Sequence, residues 1–279
     1  MYSYKSLNNI SYSEIAKCFN LAFSDYYLQL QLTAKQLQTH FEISGVDKNL
    51  SYGAFVENQM IGFIFNSSTI YNEQIVVFDV GTGVIPEHRG KKVFTTLFRF
   101  TEQELQKHQI EKYYLEVLQQ NDKAISSYRK QGFTVTREFS ILSISNYNEE
   151  IEHKEVKYIN FTDFDLKKIS PCNYVKPSYE HSTNILKINP NLYEVAFTQD
   201  NNTICAFSVF SKEDGRIIQL GYTDINQLKL VIEQLLSKFN NITVKNIDVV
   251  YLEVLKLLHS LGFCEVCQQF EMVKTISST

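Results

Sequence analysis

The chain has no tryptophan, no run of ~18 apolar residues and no large excess of charge of one sign. The first absence leaves 17 Tyr and 20 Phe to build an aromatic core and says nothing about chemistry. The second excludes a helical membrane span, and Met1-Tyr2-Ser3-Tyr4-Lys5 lacks the apolar core of a secretory leader. A net charge of -4 and a pI near 5.9 give no general electrostatic reason to bind nucleic acid or an anionic membrane. The five cysteines are scattered, which together with the missing leader points to a reducing, cytoplasmic setting. Small-molecule or peptide partners are expected. Cys264-Glu265-Val266-Cys267 has the spacing of half a zinc site, with His259 nearby, but no second pair exists and the segment reads as a strand. No metal is expected.

With 279 residues, 44% of them hydrophobic, the chain has material for two ordinary cores. Residues 1–145 read as one domain, 146–157 as a solvated linker with a Glu-Glu-Ile-Glu-His-Lys-Glu run, and 158–279 as a second domain. The first opens with a strand near Tyr2 to Ser6. Ser11-Tyr12-Ser13-Glu14 supplies a capping-box start for a helix through Ile15, Phe19 and Ala22, and a second helix starts at Thr33-Ala34-Lys35-Gln36. A hairpin follows, Tyr52 to Val56 and Met60 to Phe65 about a Glu57-Asn58-Gln59 turn, and Thr134 to Ile144 reads as a returning strand.

The stretch from Asp79 to Phe133 carries the chemistry. A strand, Val76 to Val84, runs into Pro86-Glu87-His88-Arg89-Gly90-Lys91-Lys92, and a helix follows with apolar residues at Val93, Leu97, Phe100 and Leu105. Such a turn aims backbone N–H groups, the positive end of a helix dipole and cationic side chains at one spot, which suits a phosphate or pyrophosphate. It is not a P-loop: six residues rather than four separate Gly83 from Gly90, and Lys92 stands where a magnesium-binding Ser or Thr belongs. Downstream, Tyr114-Leu115-Glu116-Val117 reads as a buried strand, and Asn121 to Phe133 as a capped helix closed by glycine.

Gly83-Val84-Ile85-Pro86 with Arg89-Gly90-Lys91, then Leu-Glu-Val, Asn121, Ala-Ile, Tyr128 and Gly-Phe in this order resembles the GNAT acyltransferase superfamily, whose members bind acetyl-CoA. The resemblance covers about residues 1 to 145 and implies an α/β fold, a mixed, mostly antiparallel sheet flanked by helices. It implies cofactor contacts from Gly83 and Val84 on a splayed strand, from Arg89, Gly90, Lys91, Lys92, Val93 and Phe94 around the pyrophosphate, and from Asn121 to the pantetheine arm. The superfamily usually has Gly at the Lys92 position and Gly or Ala at the Phe94 position. Lys92 adds a cation for phosphate but gives up the close approach that glycine permits. Acetyl transfer to an amine needs the ammonium, pKa ~10.4, to lose a proton and the departing thiolate to gain one. The resemblance implies Glu116 as the base and Tyr128 as the acid, as in the ribosomal-protein alanine acetyltransferase branch. Asp79, in the strand that feeds the cofactor loop, is the rival base. Asp25 and Tyr26 lie where the superfamily walls the acceptor pocket, and they read equally well as a turn cap and a packing ring.

The second half repeats this grammar. Tyr193 to Thr198 and Ile204 to Phe210 flank a Gln199-Asp200-Asn201-Asn202 turn, and Asp224 caps a helix carrying Leu228, Val231, Leu235 and Phe239. A strand near Ile242 to Ile247, a helix to Ser260 and Gly262-Phe263 follow. Aligning Gly262-Phe263 with Gly132-Phe133 sets Leu258 on Tyr128, Tyr251 on Asn121 and Asn246 on Glu116, with no Arg-Gly-Lys loop, so 158–279 looks like a degenerate GNAT-like copy. One active site per chain is expected, in an acetyl-CoA-dependent N-acetyltransferase for a primary amine of a small molecule or peptide. A non-catalytic acyl-CoA-binding or interaction module is the alternative, and the second domain is a possible homodimer contact or a wall of the acceptor cleft.

Overall fold

Strand β1 (Tyr2–Ser6) leads into helix α1 (Tyr12–Ala22), whose start is set by Ser11, its hydroxyl accepting from the Glu14 N–H at 3.2 Å. Helix α2 (Ala34–Ser44) opens on a reciprocal capping box between Thr33 and Gln36 and stops at Gly45, where φ is 66°. Both starts are where the Ser/Thr patterns put them. The structure is a computed structural model that describes residues 1–25, 31–147, 155–165, 167 and 172–276. It forms two compact units, Met1–Glu116 with Asn121–Thr134 and Met272–Thr279, and Val117–Gln120 with Val135–Glu271.

In the first unit, β2 (Tyr52–Val56) and β3 (Gln59–Tyr71) form a hairpin through Glu57 and Asn58 at φ 48° and 67°, the left-handed pair that a tight two-residue turn requires. Strand β4 (Gln74–Val84), helix α3 (Val93–Gln106), β5 (Lys112–Leu118) and α4 (Asp122–Lys130) follow. The sheet order is β1-β2-β3-β4-β5, antiparallel except for the parallel β4–β5 pair. Side chains alternate across the sheet. Phe63 and Phe65 of β3 meet Phe19 of α1, and Phe65 meets Phe41 of α2. Tyr113 of β5, on the opposite face, stacks on Phe98 of α3. The α3 stripe differs from the sequence expectation: Val93, Leu97, Phe98, Thr101 and Leu105 are buried, while Phe100 packs against the rings of Tyr4 and Tyr52. Thr101, a poor apolar signal, holds the position that periodicity assigned to Phe100.

The second unit contains β6 (Thr134–Ile144), β7 (Lys157–Asn160), β8 (Asn173–Tyr174), α5 (Thr183–Leu186), β9 (Tyr193–Asp200), β10 (Thr203–Ser211), β11 (Ile217–Tyr222), α6 (Ile225–Lys238), β12 (Ile242–Asp248), α7 (Leu252–Ser260) and β13 (Cys264–Thr275). Its strands run β13-β6-β12-β11-β10-β9-β7. Residues 148–154, in the segment read as a linker, lie outside the described residues. Strand β6 from Val135 onward belongs to this unit, while Met272–Thr279 belongs to the first. Each unit is therefore closed by a strand from the other half of the sequence. In the first, the β13 end lies next to β5, Ile276 N–H bonds to Glu111 O at 3.0 Å and Lys274 pairs with Glu102. The internal repeat is visible in the helix ends. Gly132 and Gly262 sit at φ 92° and 90°, and Phe133 and Phe263 return their N–H groups to the carbonyls of Tyr128 and Leu258 at 3.2 and 3.1 Å. No helix among the described residues is long and apolar enough to cross a membrane.

Candidate active site

Strands β4 and β5 pair from Val76↔Lys112 to Asp79↔Leu115 and then part, although β4 continues to Val84 and β5 to Leu118. The cause lies in β4. Its register with β3 shifts between Asn66↔Asp79 and Phe65↔Gly81, which makes Val80 an extra residue and bends the strand. From there to Val84, β4 has no strand partner but β3 among the described residues, and its other edge, where Arg89 takes the Val84 carbonyl, faces no strand. Gly83 is required on the far side of this strand: a Cβ there would come within 2.6 Å of Phe63 and 3.0 Å of the Ala22 Cβ.

After β4, Pro86–His88 make one 3-10 turn and the chain then curves through two left-handed residues, Gly90 at φ 71° and Lys92 at φ 60°. A lysine in that conformation costs roughly 1 kcal/mol against glycine, which is why glycine is usual there. Lys92 is the N-cap of α3 without a side-chain cap bond, so the first-turn N–H groups of the helix point outward. Lys91 and Lys92 are exposed, and neither has an ion-pair partner among the described residues. Arg89 turns back instead. Its Nε donates to Val84 O at 2.9 Å, Nη2 donates to Ala22 O at 2.7 Å, and the fork grips Asp25 at 2.6 and 2.9 Å. The hydrogen bond from Arg89 and then its charge hold the exposed Asp25 carboxyl below the usual carboxylate range. Arg89 and Asp25 thus form one clamp between the loop and the end of α1. Tyr26 lies outside the described residues.

Asn121 Oδ1 caps α4 through the Ala124 N–H at 3.2 Å, with no other side-chain hydrogen bond among the described residues. One turn from the end of this helix, the Tyr128 hydroxyl donates to Asp79 Oδ2 at 3.1 Å. Thr82 Oγ1 donates to the same oxygen at 2.6 Å. The Tyr128 ring is held edge-on by Phe94 at 5.6 Å and Phe133 at 5.6 Å. Burial pushes the Asp79 carboxyl up to about 6, against the lowering pull of Thr82, Tyr128 and the Gly81 backbone. Its Oδ1 is buried with no hydrogen-bond partner. Glu116 is half-buried on β5, just past the last paired residue. Strand alternation sets it on the Tyr114 face, whereas Asp79, Tyr113 and Tyr128 share the α3 side. The sequence treated Asp79 and Glu116 as rivals for one role. The fold separates them to opposite faces at the root of the strand opening and joins Asp79 to Tyr128. One contributor was missed. Thr82 is three residues from Asp79 across the bulge, a spacing only an unseen bulge would give meaning. Phe94, expected among the cofactor contacts, also walls the Tyr128 ring.

The second unit has the corresponding parallel pair, reduced to Ile217↔Val244 between β11 and β12. Only Thr223 and Asp224 join β11 to α6, so the anion loop is missing. The opening is filled from within: β8 pairs with Gly221 and Tyr222, and Val175 N–H bonds to Leu220 O at 3.2 Å. Between residues 175–177 and the β11 and β12 segments only about 10 Å³ of space remains, no more than one water needs. Asn246, at the Glu116 position, is buried and donates to Ser178 Oγ at 3.0 Å. Cys264 and Cys267 lie on β13, and no group of three or more metal-binding side chains occurs among the described residues.

Residues 12–133 match the sequence model of the Acetyltransferase (GNAT) family. Solved structures share the fold of the whole chain. A GCN5-related N-acetyltransferase from Sphaerobacter thermophilus has a TM-score of 0.71 at 13% identity over 99% of this chain and 96% of its own. A tandem GNAT protein from the clavulanic acid biosynthesis pathway has a TM-score of 0.65 at 8% identity over 100% and 99%. A GCN5-related N-acetyltransferase from Anabaena variabilis has a TM-score of 0.63 at 13% identity over 99% and 73%. A comparison with curated protein sequences finds no match.

Proposed function

We propose that this chain is an acetyl-CoA-dependent N-acetyltransferase that moves the acetyl group directly to a primary amine of a small molecule or peptide, at one site formed by the first unit. The observation that carries the reading is the β4–β5 opening past Asp79↔Leu115, with the Tyr128 hydroxyl at its root. Acetyl-CoA fits the residues present. The free edge of β4 from Gly81 to Val84 offers backbone partners to a pantetheine amide, and the α3 N-terminus with Lys91 and Lys92 offers donors and charge to a pyrophosphate. When bound, acetyl-CoA supplies the activated acyl group. Asn121, whose Oδ1 caps α4, would offer its side-chain NH2 to the pantetheine arm, and residues 89 to 94 would hold the pyrophosphate, mostly by backbone, since the Arg89 guanidinium is engaged by Asp25. Glu116 takes the ammonium proton, directly or through water, and Tyr128 gives its hydroxyl proton to the departing thiolate. Asp25, fixed by Arg89, and Tyr26 wall the acceptor side.

The filled opening of the second unit supports a single site per chain, with residues 158–279 serving as scaffold or as a homodimer contact. A cytoplasmic enzyme without nucleic-acid or membrane partners agrees with the -4 net charge. The test is a screen for CoA release against a panel of amines, amino acids and peptides. Release that depends on one class of primary amine is the expected result. Release with no acceptor dependence would mean thioester hydrolysis and overturn the amine reading, and none with any amine despite measured acetyl-CoA binding would favour a non-catalytic binding module.

A further inference from the structure

Among the described residues, no cation pairs with the Asp79 carboxyl. The groups that act on it are the Thr82 hydroxyl and Gly81 N–H from its own strand and the Tyr128 hydroxyl from α4. Tyr113 of β5 feels its charge, and that phenol is already committed to Asn66 Oδ1. One carboxyl oxygen is buried with no partner, while the other receives both hydroxyls. Such a site keeps its proton to higher pH than an exposed carboxyl does. The two protonation states also set Tyr128 differently. A carboxylate draws the Tyr128 proton toward itself and away from any other acceptor. A neutral carboxyl can donate to the Tyr128 oxygen, which frees the phenolic proton to point elsewhere.

We propose that Asp79 is the positioning residue for Tyr128, and that its neutral carboxyl reloads the Tyr128 oxygen as that hydroxyl protonates the departing thiolate. The inference rests on the acid role given to Tyr128 above. In the step, the carbon–sulfur bond breaks with its electron pair on sulfur, and sulfur takes the proton of Tyr128. The Tyr128 oxygen takes the proton of Asp79, leaving a carboxylate that solvent reprotonates before the next turnover. The amine's proton leaves separately through Glu116, on the other face of the sheet. The relay answers an energetic difficulty: a phenol beside a permanent carboxylate is a poorer acid than a free one, whereas a phenol beside a neutral carboxyl is not.

Two measurements test this. The first needs no turnover: isotope-edited infrared spectroscopy of the Asp79 carboxyl across pH, in the wild type and in Tyr128→Phe. Protonated Asp79 should persist to near pH 6 in the wild type and to higher pH in the variant, because removing a donor to the carboxylate favours the neutral form. An Asp79 that titrates in the ordinary carboxylate range, or is unmoved by Tyr128→Phe, overturns the proposal. The second is Asp79→Asn, which keeps shape and hydrogen bonding but has no proton to give up. Its kcat should fall by roughly 10-fold or more with acetyl-CoA affinity unchanged, and the fall in kcat as Asp79 deprotonates with rising pH should vanish. If Asp79→Asn keeps full kcat and the same pH profile while Tyr128→Phe is impaired, the relay is wrong and the acid role stands. If Tyr128→Phe is itself fully active, the acid role is wrong as well. The infrared result on the wild type decides the matter if the Asn variant does not fold.

Discussion

Replacing Tyr128 with phenylalanine is expected to lower kcat by roughly 10²-fold or more while leaving acetyl-CoA affinity nearly unchanged. The ring keeps its edge-on contacts with Phe94 and Phe133, so packing is preserved and only the hydroxyl is lost. Its hydrogen bond to Asp79 goes with it, leaving Thr82 as the side-chain donor to that oxygen. Affinity should hold because the contacts assigned to the cofactor come from β4, the loop, the start of α3 and Asn121, none of which the substitution touches. Steady-state kinetics with a reactive amine, paired with calorimetric binding, separate the two quantities. Unchanged turnover would return Tyr128 to a packing role.

Removing Met272–Thr279 is expected to destabilise the first unit, although these residues lie at the opposite end of the sequence from its catalytic motifs. Met272 and Ile276 are 0% and 3% exposed. Burying two such side chains contributes about 3–6 kcal/mol, a large share of the roughly 5–15 kcal/mol that holds a typical domain together. Lys274 adds its ion pair with Glu102 and lies 5.1 Å from the Phe98 ring centre. Without this end of β13, the start of β5 also becomes a bare edge inviting association. The expected drop in Tm is on the order of 10 °C or more, with acetyl-CoA binding weakened or lost. A chain ending near Asn146 loses the same strand, so it should behave as a damaged unit and not as a free-standing enzyme with a raised acceptor KM. Thermal unfolding of the chain ending at Glu271 checks this, and a Tm equal to that of the full chain would refute it.

The elements of both halves were legible because their signals are local. Ser11 and Thr33 cap the helices they appear to cap, and the Asn201-Asn202 turn adopts the positive φ angles its composition implies. Gly132 and Gly262 end their helices alike, which made the repeat readable. The α/β class and its mostly antiparallel sheet came instead from the family resemblance carried by residues 83–133. What could not be read depends on register and on partners distant in sequence. The Val80 bulge is set by pairing with β3, and it decides that Asp79 and Thr82 face α4. The Arg89–Asp25 clamp joins a loop to the end of a helix far upstream, so the sequence assigned the two residues to different ligands. The strand that closes each unit comes from the other half of the sequence, which no local pattern announces.

The central claim is one acetyl-CoA site per chain, built by the first unit with the anion loop at its mouth. Calorimetric titration of the intact protein with acetyl-CoA, repeated on a Lys91→Glu, Lys92→Glu variant, tests it most directly. One site is expected in the wild type, with an affinity lower by roughly 10-fold or more in the variant, because two cations facing the pyrophosphate become anions. Two sites per chain, or a single site indifferent to the charge reversal, would contradict it.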